Sequence, residues 1–363
     1  MKNQFLRICF SVLVIASYSQ ERKILQFADI KGYITLKGDF HLHTPFSDGT
    51  VWPTDRVIEA WTEGLDVIAI TDHIEYKPNK KDVSTNHNRP YEIALEEAQK
   101  RGIMLIKGAE ITRSMPPGHL NAYFIDDINR LEKPDFMDVV NEVKNQNGFL
   151  IWNHPGWKAQ QPDTTQWFEI HTKLLEMGIL KGIEIVNYKE YYPIVFKWAI
   201  EKNLCLFGNS DAHSPINFEF PNGRPVTLVF AQEKTQNGLR KAIENQQTLV
   251  WFRDTVFGFE TWLEPFFEAN FLKEDNVYFS KNGRNGTISL TNFSSVKMIF
   301  QLEENTNEEI KFPNKFEIPP LSTILLNFSS KKEMKKENKI SVKYKVTNWL
   351  STPEKSLVHK LII

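Results

Sequence analysis

Two histidines one residue apart, with an aspartate shortly after them, constrain this chain more than any other feature. They lie in Gly38-Asp39-Phe40-His41-Leu42-His43-Thr44-Pro45-Phe46-Ser47-Asp48-Gly49. In an extended segment residues i and i+2 share a face, so His41 and His43 can meet one ion side by side. Pro45 and the Ser47-Asp48-Gly49 turn then stop the strand and bend the chain back. Asp48 would stand on the loop above the strand end, in reach of a second ion. A His-x-His pair also occurs as an ordinary polar patch on a strand, so its meaning depends on the residues downstream of it.

From Tyr33 to about Asn245, short apolar runs alternate with helical patterns. The runs Tyr33–His43, Val67–Ile70, Ile103–Ile106, Leu120–Phe124, Phe149–Ile151, Ile183–Val186, Leu204–Phe207 and Pro225–Phe230 read as strands. Helical patterns fall at Thr54–Glu63, Tyr91–Arg101, Asp135–Gln146, Trp167–Met177, Pro193–Lys202 and Gly238–Asn245. Such alternation argues for parallel βα units, and so many of them fit a βα barrel better than an open sheet. After about Thr255 the texture changes. Asn282-Gly283 and Asn285-Gly286 are turn signals, and Thr287–Thr291, Lys297–Leu302, Thr323–Phe328 and Ile340–Val346 read as strands. The expected organisation is a barrel over 20–254 and a small all-β, sandwich-like domain over 255–363.

Composition narrows the function. The 363 residues balance 44 Lys plus Arg against 45 Asp plus Glu, for a net charge of -1, so the basic excess of a nucleic-acid scaffold is missing and no stable nucleic-acid complex is expected. The charged run Lys331 to Lys336 reads as a solvated hairpin loop. Residues 1–19 combine a basic start at Lys2 and Arg7 with an apolar stretch, Ile8 to Ala16, too short to span a bilayer, and small residues at Ser17 and Ser19. They read as a signal peptide that directs the mature chain to the periplasm or beyond. Cys205 alone would then remain, as a buried core thiol, and no later stretch is apolar enough to cross a membrane.

Metal-type residues recur at the ends of the apolar runs. Val67–Ile70 is followed by Thr71-Asp72-His73, Ile103–Ile106 by Gly108-Ala109-Glu110, Phe149–Ile151 by Asn153-His154-Pro155, and Leu204–Phe207 by Ser210-Asp211-Ala212-His213. Gly118-His119 instead precedes a run. In a parallel barrel the strand ends share one mouth, where active sites are built. The remaining histidines, His87, His171 and His359, read as structural. The liganding groups exceed the roughly four that one zinc takes, and suit two or three divalent ions sharing carboxylates. Imidazole with carboxylate favours Zn, Mn or Fe over Mg.

In order, these motifs resemble the PHP family (polymerase and histidinol phosphatase) over about residues 37–232. The resemblance implies a distorted (β/α)7 barrel, a trinuclear metal site and hydrolysis of phosphate esters. It assigns His41, His43, Glu110 and Asp211 to one ion, Glu110, His119 and His154 to a second, and Asp48, His73 and His213 to a third. Glu110 would bridge two ions, and Asp48 stands where some relatives carry histidine. Clustered divalent ions would bring the pKa of a water towards neutrality and neutralise phosphate oxygens as charge develops. Asp211 or a histidine would relay protons, and Arg113, Lys158 and Arg224 are candidates to contact the phosphate of a small phosphorylated substrate. Glu184, inside its strand, reads as a core hydrogen-bonding group, and Trp152 and Trp157 as core or rim packing with base stacking as the alternative. Two other functions stay open: a metal-dependent amide or lactone hydrolase, and a binding protein on a degenerate barrel. The oligomeric state is left open.

Overall fold

The computed structural model describes residues 21–334 and 340–363, so the expected signal peptide lies outside the described residues. The first unit comprises β1 (Ile34–Asp39), α1 (Pro53–Thr62), β2 (Val67–Ile70), α2 (Arg89–Arg101), β3 (Met104–Thr112), β4 (His119–Tyr123), α3 (Phe136–Asn145), β5 (Phe149–Trp152), α4 (Glu169–Glu176), β6 (Leu180–Asn187), β7 (Glu190–Tyr191), α5 (Pro193–Glu201), β8 (Cys205–Asn209), α6 (Ile216–Glu219), β9 (Val226–Ala231), α7 (Gln236–Glu244), β10 (Thr248–Phe252) and β11 (Thr255–Gly258). Helix α1 shows why these segments fold as they do. Pro53 pre-sets its first turn, and Pro53, Arg56, Val57 and Ala60 recur at helical spacing to form its buried face. The central strands β2 and β5 are buried along their whole length, as apolar runs covered on both sides must be.

The sheet runs β9-β1-β2-β3-β4-β5-β6-β8. Strands β1, β2, β3, β5, β6 and β8 point one way. Two members depart from the parallel βα expectation: β4 is antiparallel to β3 and β5, and β9 is antiparallel to β1. No backbone ladder joins β8 to β9 or β10. Two threonine hydroxyls take its place. Thr227 Oγ1 accepts from the Gly208 N–H and donates to its carbonyl, both at 3.0 Å, and Thr248 Oγ1 does the same for Leu206 at 3.2 and 2.9 Å. The barrel is thus distorted, curling without a continuous ladder, because a side-chain hydroxyl can satisfy buried backbone groups that lack a strand partner.

The second unit contains β12 (Phe271–Phe279), β13 (Asn285–Asn292), β14 (Met298–Asn305), β15 (Ile310–Lys311), β16 (Lys315–Ile318), β17 (Ser322–Ser330), β18 (Ser341–Leu350) and β19 (Ser356–Ile362). Strands β12-β13-β17-β15 form one sheet, and β16-β14-β18 with β19 form the other, which gives the expected sandwich. The sequence did not reveal how the two units join. Strand β11 pairs antiparallel with β10 and parallel with β18, so one sheet runs through both. Helix α8 (Glu260–Asn270) seals the joint: Phe266 lies 5.3 Å from Phe230 and 5.7 Å from Trp349, ring to ring, and Phe267 lies 5.3 Å from Trp349.

Candidate metal centre

Most ligand-type residues sit just past the regular ladders, whereas Glu110 and His119 lie within the β3–β4 ladder. Beyond β1, Leu42 makes a single parallel bridge to Ala212, and beyond β2, His73 makes one to Glu110. His41 and His43 flank Leu42, while Asp211 and His213 flank Ala212. Two adjacent segments therefore project four polar side chains from the residues on either side of one apolar bridge. The antiparallel run of β4 explains why His119 precedes its strand: the first residue of β4 lies at the same rim as the last residues of its neighbours. Gly49 lets the Asp48 turn fold down, since a Cβ there would lie 2.5 Å from the His43 carbonyl. His154 and Asp211 hold positive φ angles of 29° and 52°, a conformation that costs roughly 1–3 kcal/mol and is kept only where surroundings enforce it.

All nine predicted ligands converge. Glu110 is fully buried and divides its oxygens. Its Oε1 lies 3.0 Å from His119 Nδ1 and 3.5 Å from His154 Nε2, and its Oε2 lies 3.5 Å from both His41 Nε2 and His43 Nε2. Asp211 Oδ1 stands 3.2 Å from His41 Nε2 and 3.0 Å from His43 Nε2. Asp48 Oδ1 lies 3.3 Å from His213 Nε2 and 3.5 Å from His73 Nε2. The other nitrogen of His73 is held 2.6 Å from Thr112 Oγ1 and 2.7 Å from Glu110 Oε2, so His73 joins the Asp48 group to the Glu110 group. Asp48, His73, Glu110, His119, His154, Asp211 and His213 line a cavity of about 550 Å³ with Trp157, Asn187, Tyr188, Glu190, Tyr192 and Glu219.

The electrostatics show what the cluster is built to hold. Burial works against charge on Glu110 and Asp211, yet His73, His119 and His41 keep Glu110 ionised well below the usual carboxylate range, and His41, His43 and His213 do so for Asp211. Burial also opposes protonation of His73, but Glu110 and Asp48 outweigh it and raise His73 to about 10; Asp48 and Asp211 raise His213 to about 9. His43 goes the other way, to about 3, because it is buried and faces His73 and His213. The carboxylates thus demand positive charge, and protons on imidazoles supply it only in part. His41 Nε2, His43 Nε2, Asp48 Oδ1 and Glu110 Oε2 are buried without a well-aligned hydrogen bond. Such orphaned atoms cost roughly 1–3 kcal/mol each, and divalent cations would satisfy their lone pairs directly. The residues present fit metal ions. His43, Asp48, His73 and His213 offer donor atoms within 4.8 Å of one another, as do His41, His43 and Asp211, and His73, Glu110 and His119.

The three cations proposed to contact phosphate are placed elsewhere. Arg113 pairs with Glu75 at 2.9 Å and donates to the carbonyls of Lys133 and Pro134 at 2.6 and 2.8 Å, so its guanidinium ties two loops together. Arg224 is buried between Asp39 at 2.9 Å and Glu63 at 2.7 Å. It fixes Asp39, whose other oxygen accepts from the N–H groups of His41 and Ser210. Lys158 is exposed and donates to the Asp163 carbonyl at 3.2 Å. None of the three lines the cavity. Trp152 is core, fully buried and stacked 3.5 Å from His171, while Trp157 is at the rim beside His119 and His154.

Of the groups that hold the ligands in place, sequence reasoning read Glu184 as a core hydrogen-bonding group and missed Arg56 and Asp72. Arg56 donates to the carbonyls of His43 at 3.0 Å, Ala212 at 2.9 Å and Ser214 at 2.9 Å, clamping two ligand segments from below. The one signal was a charged residue on the apolar face of α1. Asp72 accepts from the Thr44 N–H, the Thr44 hydroxyl and the Ser47 hydroxyl at 2.6–2.7 Å, which sets the turn carrying Asp48. Glu184 lies 2.9 Å from His41 Nδ1 and accepts from the His154 N–H at 2.8 Å. A carboxylate on the far nitrogen of a ligating histidine fixes its tautomer and orientation.

Comparison with known proteins agrees with this geometry. Residues 39–184 match the PHP domain family and residues 272–362 an Ig-like domain family. An uncharacterized protein of Methanocaldococcus jannaschii is 37% identical over 192 residues, covering 50% of this chain and 83% of that protein. A crystal structure from Bacteroides vulgatus, described as a two-domain protein containing a predicted PHP-like metal-dependent phosphoesterase, is 41% identical. It superposes with a TM-score of 0.89, covering 95% of this chain and 100% of that one. With its nine ligand-type residues gathered at one mouth and an Ig-like domain following the barrel, this chain belongs to the PHP family.

Proposed function

We propose that this protein is a metal-dependent phosphoesterase that hydrolyses phosphate esters at a centre of two to three divalent ions. The observation that carries the reading is Glu110, whose two oxygens face two different histidine pairs from a fully buried position. One ion would be held by His41, His43, Glu110 and Asp211, a second by Glu110, His119 and His154, and a third by Asp48, His73 and His213. When bound, such ions make water acidic enough to serve as a nucleophile near neutral pH and offset charge on phosphate oxygens. The chain's own part is to bind and orient. Asp211, at the cavity wall and 17% exposed in its side chain, is placed to exchange a proton with the cavity. The walls around the ligands limit solvent access, and the buried clamps hold the donors before any ion arrives.

The test is metal analysis of the protein after reconstitution with Zn, Mn and Fe, alongside phosphomonoesters, phosphodiesters, amides and lactones as substrates. More than one ion per chain and turnover of phosphate esters are expected. One ion or none refutes the multinuclear centre, and turnover confined to amides or lactones refutes the phosphoesterase reading. The proposal includes export, read from Lys2, Arg7 and the apolar stretch Ile8 to Ala16. A mature N-terminus near Gln20 is expected by mass spectrometry, and an intact leader on cytoplasmic protein refutes it.

A further inference from the structure

Large exposed aromatic side chains in the barrel are confined to one end. Among the described residues up to Gly258 they are Trp52, Tyr76, Trp157, Tyr188 and Phe218. Each follows the C-terminal end of a parallel strand: β1, β2, β5, β6 and β8 respectively. All five therefore lie in the connections that leave the strands on the side of the metal cavity, Phe218 within the short helix α6. Trp157 and Tyr188 line the cavity, the Tyr76 ring is 5.9 Å from that of His73, and Phe218, 80% exposed, precedes the cavity residue Glu219. Exposed apolar surface collected on one face of a protein marks a binding site.

The charge of the cavity selects among occupants. Among the described residues no lysine or arginine lines it, whereas Glu190 and Glu219 do. The basic residues nearby are turned to other partners: Lys189 lies over the rings of Tyr188 and Phe220 at 4.7 and 5.7 Å, and Lys158 reaches the Asp163 carbonyl. A polyanion needs cations along its length, and these walls offer none beyond the metal centre. The walls do offer acceptors. Glu190 holds the Tyr192 hydroxyl at 3.1 Å through Oε2 alone, leaving its other oxygen for a ligand donor, and Asn187 is fixed by Glu184 at 2.9 Å.

Resting on the phosphoesterase reading, we infer that the substrate carries a single phosphate on an uncharged ring bearing hydrogen-bond donors, seated against Trp157 and Tyr188 with its donors towards Glu190. A sugar or a nucleobase would supply that ring, since both present a flat apolar face to an aromatic side chain and polar groups at the edge. Bisphosphates and longer polyanions are disfavoured.

Non-hydrolysable phosphonates test this apart from catalysis. Calorimetric titration of the metal-loaded protein would compare phosphonate analogues of a hexose phosphate, a nucleoside monophosphate, glycerol phosphate and a hexose bisphosphate. One or both ring-bearing single phosphonates should bind about tenfold more tightly than the glycerol analogue, the size of one aromatic stacking contact. Tyr188→Ala should collapse that ratio towards one with metal content unchanged, and Glu190→Lys should bring the bisphosphonate up to the monophosphonate. Equal affinity for ring and acyclic analogues, tighter binding of the bisphosphonate to the natural chain, or no binding of any analogue overturns the inference. A preference for one ring and not the other tells sugar from base. If ring analogues bind with this Tyr188 dependence but no phosphate ester is hydrolysed, the phosphoesterase reading fails and the ring site stands.

Discussion

Replacing Glu184 by glutamine tests how the centre is held together. The Glu184 carboxylate is fully buried and faces four donors: His41 Nδ1 and Asn209 Nδ2 at 2.9 Å on Oε1, the His154 N–H at 2.8 Å and Asn187 Nδ2 at 2.9 Å on Oε2. An amide of the same shape has one acceptor oxygen, so its NH2 must face two of these donors. If it faces His41, the imidazole must accept at Nδ1 and carry its proton on Nε2. That nitrogen lies 3.2 Å from Asp211 and 3.5 Å from Glu110, where an ion would be bound, and a protonated nitrogen cannot ligate. If it faces the other way, His154, held at φ 29°, loses the acceptor that anchors its N–H. Either outcome damages a ligand. Loss of such an orienting carboxylate weakens metal binding by about 10- to 100-fold, or ~1.4–2.7 kcal/mol. Competition with a chromophoric chelator, run on natural and variant protein at equal zinc, reads this directly, and circular dichroism checks that the variant is folded. A folded Glu184→Gln protein with unchanged affinity would refute the claim that Glu184 sets the tautomer of His41.

Glu110→Gln should lose more than one ion per chain, because the change removes a charge shared by two sets of histidines; full metal content by elemental analysis would sink the bridging role. Arg113→Ala should leave turnover of phosphate esters within about twofold and cost at most ~1 kcal/mol in urea unfolding, since its partners are Glu75 and two loop carbonyls at a partly exposed site. A tenfold loss in kcat would instead return Arg113 to the substrate. His171 supplies a pH dependence. Burial lowers its pKa from 6.5 to about 4, so between those values the unfolded chain binds a proton that the folded chain refuses. This contribution to stability is full above pH 6.5 and is lost as pH falls towards 4, by up to about 3 kcal/mol. In His171→Gln the slope of unfolding free energy against pH should flatten across that window, and an unchanged slope would refute the assignment.

The parts of the site legible in the sequence were those encoded locally. A histidine or carboxylate just past the apolar run of a parallel strand falls at the mouth, which marks His73, Glu110, His154, Asp211 and His213; His119 precedes its run, and the division of the nine ligands among ions came from the resemblance to the family. Strand direction is different. Whether Leu120–Phe124 runs with or against its neighbours depends on how Met115 to Gly118 turns the chain, and neither orientation changes the apolar pattern. The phosphate contacts were misplaced for a related reason. Arg113, Lys158 and Arg224 are close in sequence to ligands, but a long flexible side chain goes to whichever partner the fold brings near, and for two of them that partner is a carboxylate. The joint between the two units was hidden because β11 looks like any short apolar run, and its pairing with β18 spans more than 90 residues of chain.

The buried charges around the ligands, of which the sequence marked only Glu184 in a supporting role, answer a need created by the ligand positions. Residues held in ladders are fixed by their strand partners, but His41, His43, Asp211 and His213 lie past the ladders, where single bridges at Leu42 and Ala212 leave much of the backbone unsupported. Arg56, Arg224 with Asp39, Asp72 and Glu184 each bind backbone or imidazole groups of these segments from the side away from the cavity. Burying a charge is costly unless hydrogen bonds surround it, and these four sites spend that cost on orientation. An apolar replacement of Arg56 would pack as well yet leave the His43 carbonyl without its donor and the Ala212 carbonyl with the His43 N–H alone. The same arrangement accounts for the positive φ angles at His154 and Asp211: Glu184 anchors the His154 N–H, and the His41 and His43 imidazoles hold the Asp211 carboxylate. Rigid donors waiting at fixed separations bind ions with little further loss of freedom, which is what preorganisation supplies to a metal site.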